Sequence, residues 1–196
     1  MSDPLFGSRK STIRRITVMN LMTVWDHCKP EIERLIGLID PLLEDDHKEY
    51  LKQSYTSLNQ VVDGLNAADY ISSEKPAVFE QLIKLLNDSI KKILVAYALP
   101  NGINCRNDDV ETLSNSFYRS IERRLGEHRV CNYSGVTKLI RFVRNHEEHD
   151  HLNKPKDIIS GKNSFGNVYT LSSIVIISFF AYIEILNFWV KAETTP

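Results

Sequence analysis

Cysteine is scarce and poorly placed for cross-linking. Cys28, Cys105 and Cys131 are widely spaced, an odd set with no CxxC pair. Such a set gives neither a disulfide framework nor metal-ligand spacing, and the thiols read as small neutral residues in a reducing compartment. An excess of one charge sign is lacking as well. Twenty-four Lys and Arg against 25 Asp and Glu leave a formal net charge of −1. That balance excludes a globally basic nucleic-acid binder and confines any contact with a polyanion to a local patch. Met1 to Lys10 has no apolar core, so no secretory signal is expected and the expected location is cytoplasmic. Hairpin signals are almost absent, and no repeat of fixed period is visible, which makes a solenoid a poor fit.

What the chain does have is enough apolar material for a core: 42% of its 196 residues are hydrophobic and 25% are charged, outside the range of general disorder. Helical periodicity dominates. A first helix is expected from Ser11 or Thr12 to about Cys28, through Ile13, Ile16, Leu21, Val24 and Trp25. Pro30 suits the first turn of a new helix, with Glu31 and Glu33 near its positive end and Ile32, Leu35, Ile36 and Ile39 as its apolar stripe. Pro41 should kink or end that helix. Another helix is expected over about Asp45 to Asn66, and a long one opens at Pro76. Pro100-Asn101-Gly102 is a strong turn and the best boundary candidate. It separates an N-terminal helical region, residues 1–100, from a helical region at 101–196, unless the whole chain is one domain. Asn107 or Asp108 can cap the helix that follows, and Gly126 can end it. Ser134 can cap the next, with Val136, Leu139, Ile140 and Val143 apolar. Leu152 to Asn167 reads as a loop, and an apolar helix from about Tyr169 to Lys191 closes the chain. The expected fold is all-α, a helical bundle with an extra N-terminal helical region.

Leu171 to Val190 is close to the length of a membrane span. It carries Glu184 and Asn187, and no basic cluster flanks it to set an orientation. A central buried helix is therefore the preferred expectation, with no membrane partner.

Chemistry concentrates in Lys138-Leu139-Ile140-Arg141-Phe142-Val143-Arg144-Asn145-His146-Glu147-Glu148-His149-Asp150-His151. Two ordinary readings fit part of it. Arg144 and Asn145 can lie on a solvated helix face, since Val136, Leu139, Ile140 and Val143 point elsewhere. His146, His149 and His151 with Glu147, Glu148 and Asp150 can approach a metal, but His146 and His149 are three apart and do not form HExxH. No metal or other cofactor is expected.

The same segment resembles the Arg-polar-x3-His signature of the HEPN superfamily, and is especially similar to the kinase-extension nuclease domains. The family arginine falls on Arg144, the polar residue on Asn145 and the histidine on His149. The close likeness covers Leu139 to His149, and Arg141 with His146 also satisfies a bare Arg-x4-His. The resemblance implies a metal-independent endoribonuclease acting on single-stranded or looped RNA in a homodimer cleft. It also implies stress or defence roles, with a neutralising or regulatory protein as possible partner. The alternative is a non-catalytic HEPN-like module for nucleotide or RNA binding, or for helical dimerisation.

The residue types suit that chemistry. Histidine transfers protons near neutrality. Arginine presents a planar fork to phosphate. Asparagine orients groups without adding charge. Five residues separate Arg144 from His149, about 140° around an ideal helix, so the two share a face only where the helix ends or bends. Arg119, Arg123, Arg124, His128 and Arg129, then Lys138 and Arg141, with Lys154, Lys156 and Lys162 beyond, are the basic residues available to track phosphates. Of these, Lys138, Arg141, Arg123 and Arg124 are the expected RNA contacts. Glu147, Glu148 and Asp150 oppose them with negative charge.

Overall fold

The computed structural model describes residues 5–67, 76–105, 109–126, 160–162 and 168–195, with side-chain surroundings for 21–65, 81–105, 109–126 and 175–195. Among them the fold is all-α. Its elements are α1 (Leu5–Ile39), a 3-10 turn (Asp40–Leu42), α2 (Asp45–Ala67), α3 (Pro76–Ala98), α4 (Val110–Leu125) and α5 (Leu171–Thr194). Between α4 and α5 lie two three-residue strands, Ser160–Lys162 and Val168–Thr170, paired antiparallel. This small ribbon corrects two expectations. Part of the stretch read as a loop is a strand, and Tyr169 belongs to the strand before α5 and not to the helix itself. Val-Tyr-Thr is a β-branched and aromatic run that favours extended backbone.

α2 lies along α3, α1 along α5, and α4 fits against both α3 and α5. Buried residues from all five described helices form one continuous core, on both sides of the Pro100-Asn101-Gly102 turn. Gly102 takes φ +64 there, a left-handed conformation that favours glycine. The cap of α4 falls one residue beyond Asp108 and two beyond Asn107. Asp109 is the N-cap, and its carboxylate accepts from the Thr112 backbone N–H at 2.9 Å. Gly126, at φ 63, ends α4 as expected.

The largest departure concerns α1. A helix boundary was expected at Pro30, yet Pro30 lies inside one 35-residue helix. The pattern of burial explains why. Leu21, Trp25, Cys28, Ile32, Leu35 and Ile39 are all buried, at alternating steps of four and three, so one seam runs straight past Pro30. Proline removes one backbone hydrogen bond and crowds the carbonyl of residue i−4, costing about 3 kcal/mol in a helix interior. Six buried side chains at roughly 1.5–3 kcal/mol each outweigh that. Pro30 itself is exposed, so its substitution leaves the core untouched. Pro30→Ala is therefore expected to stabilise the protein by about 2 kcal/mol, after allowance for the freer unfolded chain. The denaturation midpoint should rise at constant slope; an unchanged or lowered midpoint would mean a helix break at Pro30.

The core is rich in aromatic rings. Tyr97 meets Phe117 edge-on at 4.7 Å and Trp189 at 5.4 Å, tying α3, α4 and α5 together. Trp25 on α1 meets Phe179 on α5 at 5.1 Å. Polar groups inside are satisfied in reciprocal fashion. Ser54 Oγ donates to the Ser89 carbonyl at 2.7 Å and Ser89 Oγ to the Ser54 carbonyl at 2.9 Å. Tyr182 Oη lies 2.9 Å from Ser54 Oγ, which brings α5 into the same knot. Burial pushes the Tyr182 phenol far up, so it stays neutral. Small residues also let α2 and α3 approach closely: a Cβ on Gly64 would stand 2.8 Å from Leu82 Cδ2.

α5 is long and apolar enough over Val175–Thr194 to cross a membrane, and half of that stretch is buried inside the protein. Val175, Phe179, Tyr182, Ile185, Leu186, Trp189 and Ala192 supply its buried arc. Ile176 and Ile183 are partly buried against the same core, and Phe180 is 52% exposed.

Candidate functional site

Arg144, Asn145 and His149, together with Lys138 and Arg141, lie outside the described residues. The alternative metal cluster around His146, His149 and His151 does too. What the structure does describe is α4, the helix that precedes that segment in sequence, and its neighbours.

α4 is amphipathic for a simple reason. Val110, Leu113, Ser114, Phe117, Tyr118 and Ile121 repeat at helical spacing and are buried, which leaves Thr112, Asn115, Arg119 and Arg123 exposed. Arg119 and Arg123 are one turn apart on that outer stripe, and Arg123 Nε donates to the Arg119 carbonyl at 3.1 Å. Arg123 and Arg124 in the last turn also complement the negative end of the helix. That effect alone accounts for two basic residues at this position, so their presence is not by itself a sign of RNA.

Arg124 is in a different situation from Arg123. Its guanidinium makes a two-pronged pair with Glu193 of α5, at 2.7 and 3.1 Å, and donates to Asn101 Oδ1 at 3.0 Å. Asn101 in turn donates to the Tyr97 carbonyl at 2.7 Å, and Tyr97 Oη lies 2.8 Å from Ser120 Oγ. The hydrogen bonds that Arg124 donates to the Glu193 carboxylate are the main reason its pKa is raised above its ordinary value. Arg124 thus joins the ends of α3, α4 and α5, an arrangement worth about 1 kcal/mol at this partial exposure. Its donors are largely engaged within the protein, whereas Arg123 and Arg119 face outward. The sequence grouped Arg123 with Arg124 and gave no sign of Asn101 or Glu193 as partners, because these residues are 23 and 69 positions from Arg124.

Tyr118 is buried and packs edge-on against Phe117 at 5.1 Å and Phe188 at 6.3 Å. Its role is core packing. Cys28 is buried, and burial raises its thiol pKa, as suits an inert core residue. Among the described residues, no group of three or more His, Cys, Asp or Glu side chains converges as a metal site.

No family model, curated protein or solved structure matches the chain.

Proposed function

We propose that this chain is a metal-independent endoribonuclease of the HEPN kind, cutting single-stranded or looped RNA in a cleft between two copies of itself. The observation that carries the reading is Arg144-Asn145 followed by His149, behind the apolar lead-in Leu139, Ile140, Phe142 and Val143. An all-α bundle with a long apolar helix after that segment is the setting such a motif requires.

In the proposed reaction the ribose 2′-oxygen attacks the adjacent phosphorus and the bond to the 5′-oxygen breaks. One His149 takes the 2′-hydroxyl proton, and its counterpart in the second copy gives a proton to the leaving 5′-oxygen. Arg144 holds the negative charge of the crowded phosphorane through its planar fork. Asn145 orients the reacting groups. The products are a 2′,3′-cyclic phosphate and a 5′-hydroxyl. One copy supplies one arginine and one histidine, so a two-fold interface completes the site. Cytoplasmic residence and a restraining protein partner belong to the same proposal.

The test is incubation of purified protein with mixed small RNAs in excess EDTA, followed by end mapping, with light scattering of the same sample. Cyclic phosphate ends from a dimer are expected. A fully active monomer removes the shared cleft, and cleavage that needs added divalent metal removes the mechanism. A second reading, a helical dimerisation module without catalysis, is favoured by Phe180, a large apolar side chain left 52% exposed on α5. It predicts a dimer that leaves every RNA intact.

A further inference from the structure

Three helices end at one place. Asn101 follows the end of α3 at Ala98, Arg124 is in the last turn of α4, and Glu193 is in the last turn of α5. The hydrogen bonds of Arg124 join these ends, so three negative helix termini and a carboxylate gather around one guanidinium. Asn101 is the neutral member of the joint. Its Oδ1 accepts from Arg124 at 3.0 Å, and its Nδ2 closes the end of α3 by donating to the Tyr97 carbonyl at 2.7 Å.

The next residue gives this position a chemistry of its own. Asn101-Gly102 is the only Asn-Gly pair in the chain. The Cγ of such an asparagine is open to attack by the following backbone nitrogen, because glycine has no side chain to hinder the approach. Gly102 is exposed, and nothing described lies within 4 Å of where its Cβ would stand. Attack forms the bond from Gly102 N to Cγ and breaks the bond from Cγ to Nδ2; the Gly102 amide proton leaves with Nδ2 as ammonia. Water then opens the cyclic imide, its hydroxyl going to a carbonyl carbon and its hydrogen to the nitrogen. The product is aspartate or its isoaspartyl isomer, with no oxidant or reductant involved. In the native joint both reacting groups are occupied. The Asn101 amide is held at both ends, and the Gly102 N–H donates to the Leu99 carbonyl at 3.2 Å.

We propose that Asn101 is a deamidation site that the Arg124 joint holds in check, and that its conversion to aspartate loosens the joint. Ring closure gives up the hydrogen bonds at Tyr97 and Leu99, so it proceeds from molecules in which the joint has opened locally. The product then opposes reclosure. Aspartate has no donor, so an oxygen stands where Nδ2 met the Tyr97 carbonyl, acceptor against acceptor. It also adds negative charge beside Glu193 and the C-terminal end of α3, where the helix dipole favours a cation. This modification is independent of the nuclease reading.

The experiment incubates the full chain at mildly alkaline pH and follows the tryptic peptide Ile93–Arg106 by mass, with fragmentation to place the change. Exchange of the amide for a carboxylate at Asn101 should be slower in the folded chain than in the same chain in urea. E193Q removes the two-pronged partner of Arg124 and should speed the exchange about fivefold, the equilibrium effect of losing a pair of that strength. R34Q breaks a similar two-pronged pair with Glu31 on α1 and should leave the rate as it is. N101D should lower the thermal midpoint. Equal rates in the folded and urea-treated chain overturn the restraint, as does an unchanged or slower rate in E193Q or an equal rise in R34Q. No exchange at Asn101 even in urea overturns the site, and an N101D protein as stable as the parent overturns the loosening.

Discussion

Changing His149 to alanine should lower RNA cleavage by about 10²- to 10⁴-fold, the usual loss when a general acid or base is removed. RNA binding and thermal stability should stay close to those of the parent, since the proposed mechanism gives this histidine proton transfer and not substrate holding. His146→Ala is the matched control and should remain active. The distinction rests on register, because Arg144-Asn145 sets the frame that puts the proton-transferring histidine at position 149. Arg144→Lys should also be strongly impaired, as lysine keeps the charge and loses the two-pronged geometry. A dead His146→Ala variant beside an active His149→Ala one would move the site to Arg141 and His146. If neither substitution alters cleavage in EDTA, the nuclease reading is wrong.

Trp189→Ala should cost about 3–5 kcal/mol of folding stability, the range for removing a large aromatic side chain from a packed core. Trp189 is 1% exposed and stacks edge-on with Tyr97, so the truncation opens a cavity where α3, α4 and α5 meet. Urea unfolding of detergent-free protein measures the loss. Ile185→Val, at a site 2% exposed on the same helix, should cost about 1 kcal/mol and remains measurable if the larger change prevents folding. Both costs assume that α5 packs against protein. A protein that stays in solution only with detergent, or that loses almost nothing from either change, would instead place α5 in a bilayer.

Much of the architecture is legible in the sequence because local rules and tertiary packing agree. Pro76 opens α3, Gly126 closes α4, and Pro41 falls in the 3-10 turn that ends α1. At each of these positions one residue type satisfies a backbone requirement of its own, whatever the rest of the chain does. The apolar stripes of α2 through α5 are visible for the same reason, since helical periodicity and burial coincide there. The catalytic proposal also belongs to the sequence, because it rests on the identity and spacing of Arg144, Asn145 and His149.

Tertiary structure decided what local rules could not. Pro30 looks like a helix start when read locally, yet the seam from Leu21 to Ile39 needs an unbroken rod against α5, and burial along that rod exceeds the local penalty. Arg123 and Arg124 are adjacent and chemically identical. Only the packing of α5 and the turn at Asn101 engages one with Glu193 and leaves the other facing water. The exchange of hydrogen bonds between Ser54 and Ser89, closed by Tyr182, joins positions up to 128 residues apart. Serine and tyrosine carry no local sign of such pairing, because a hydroxyl group finds its partner only when helices distant in sequence are brought to within 3 Å.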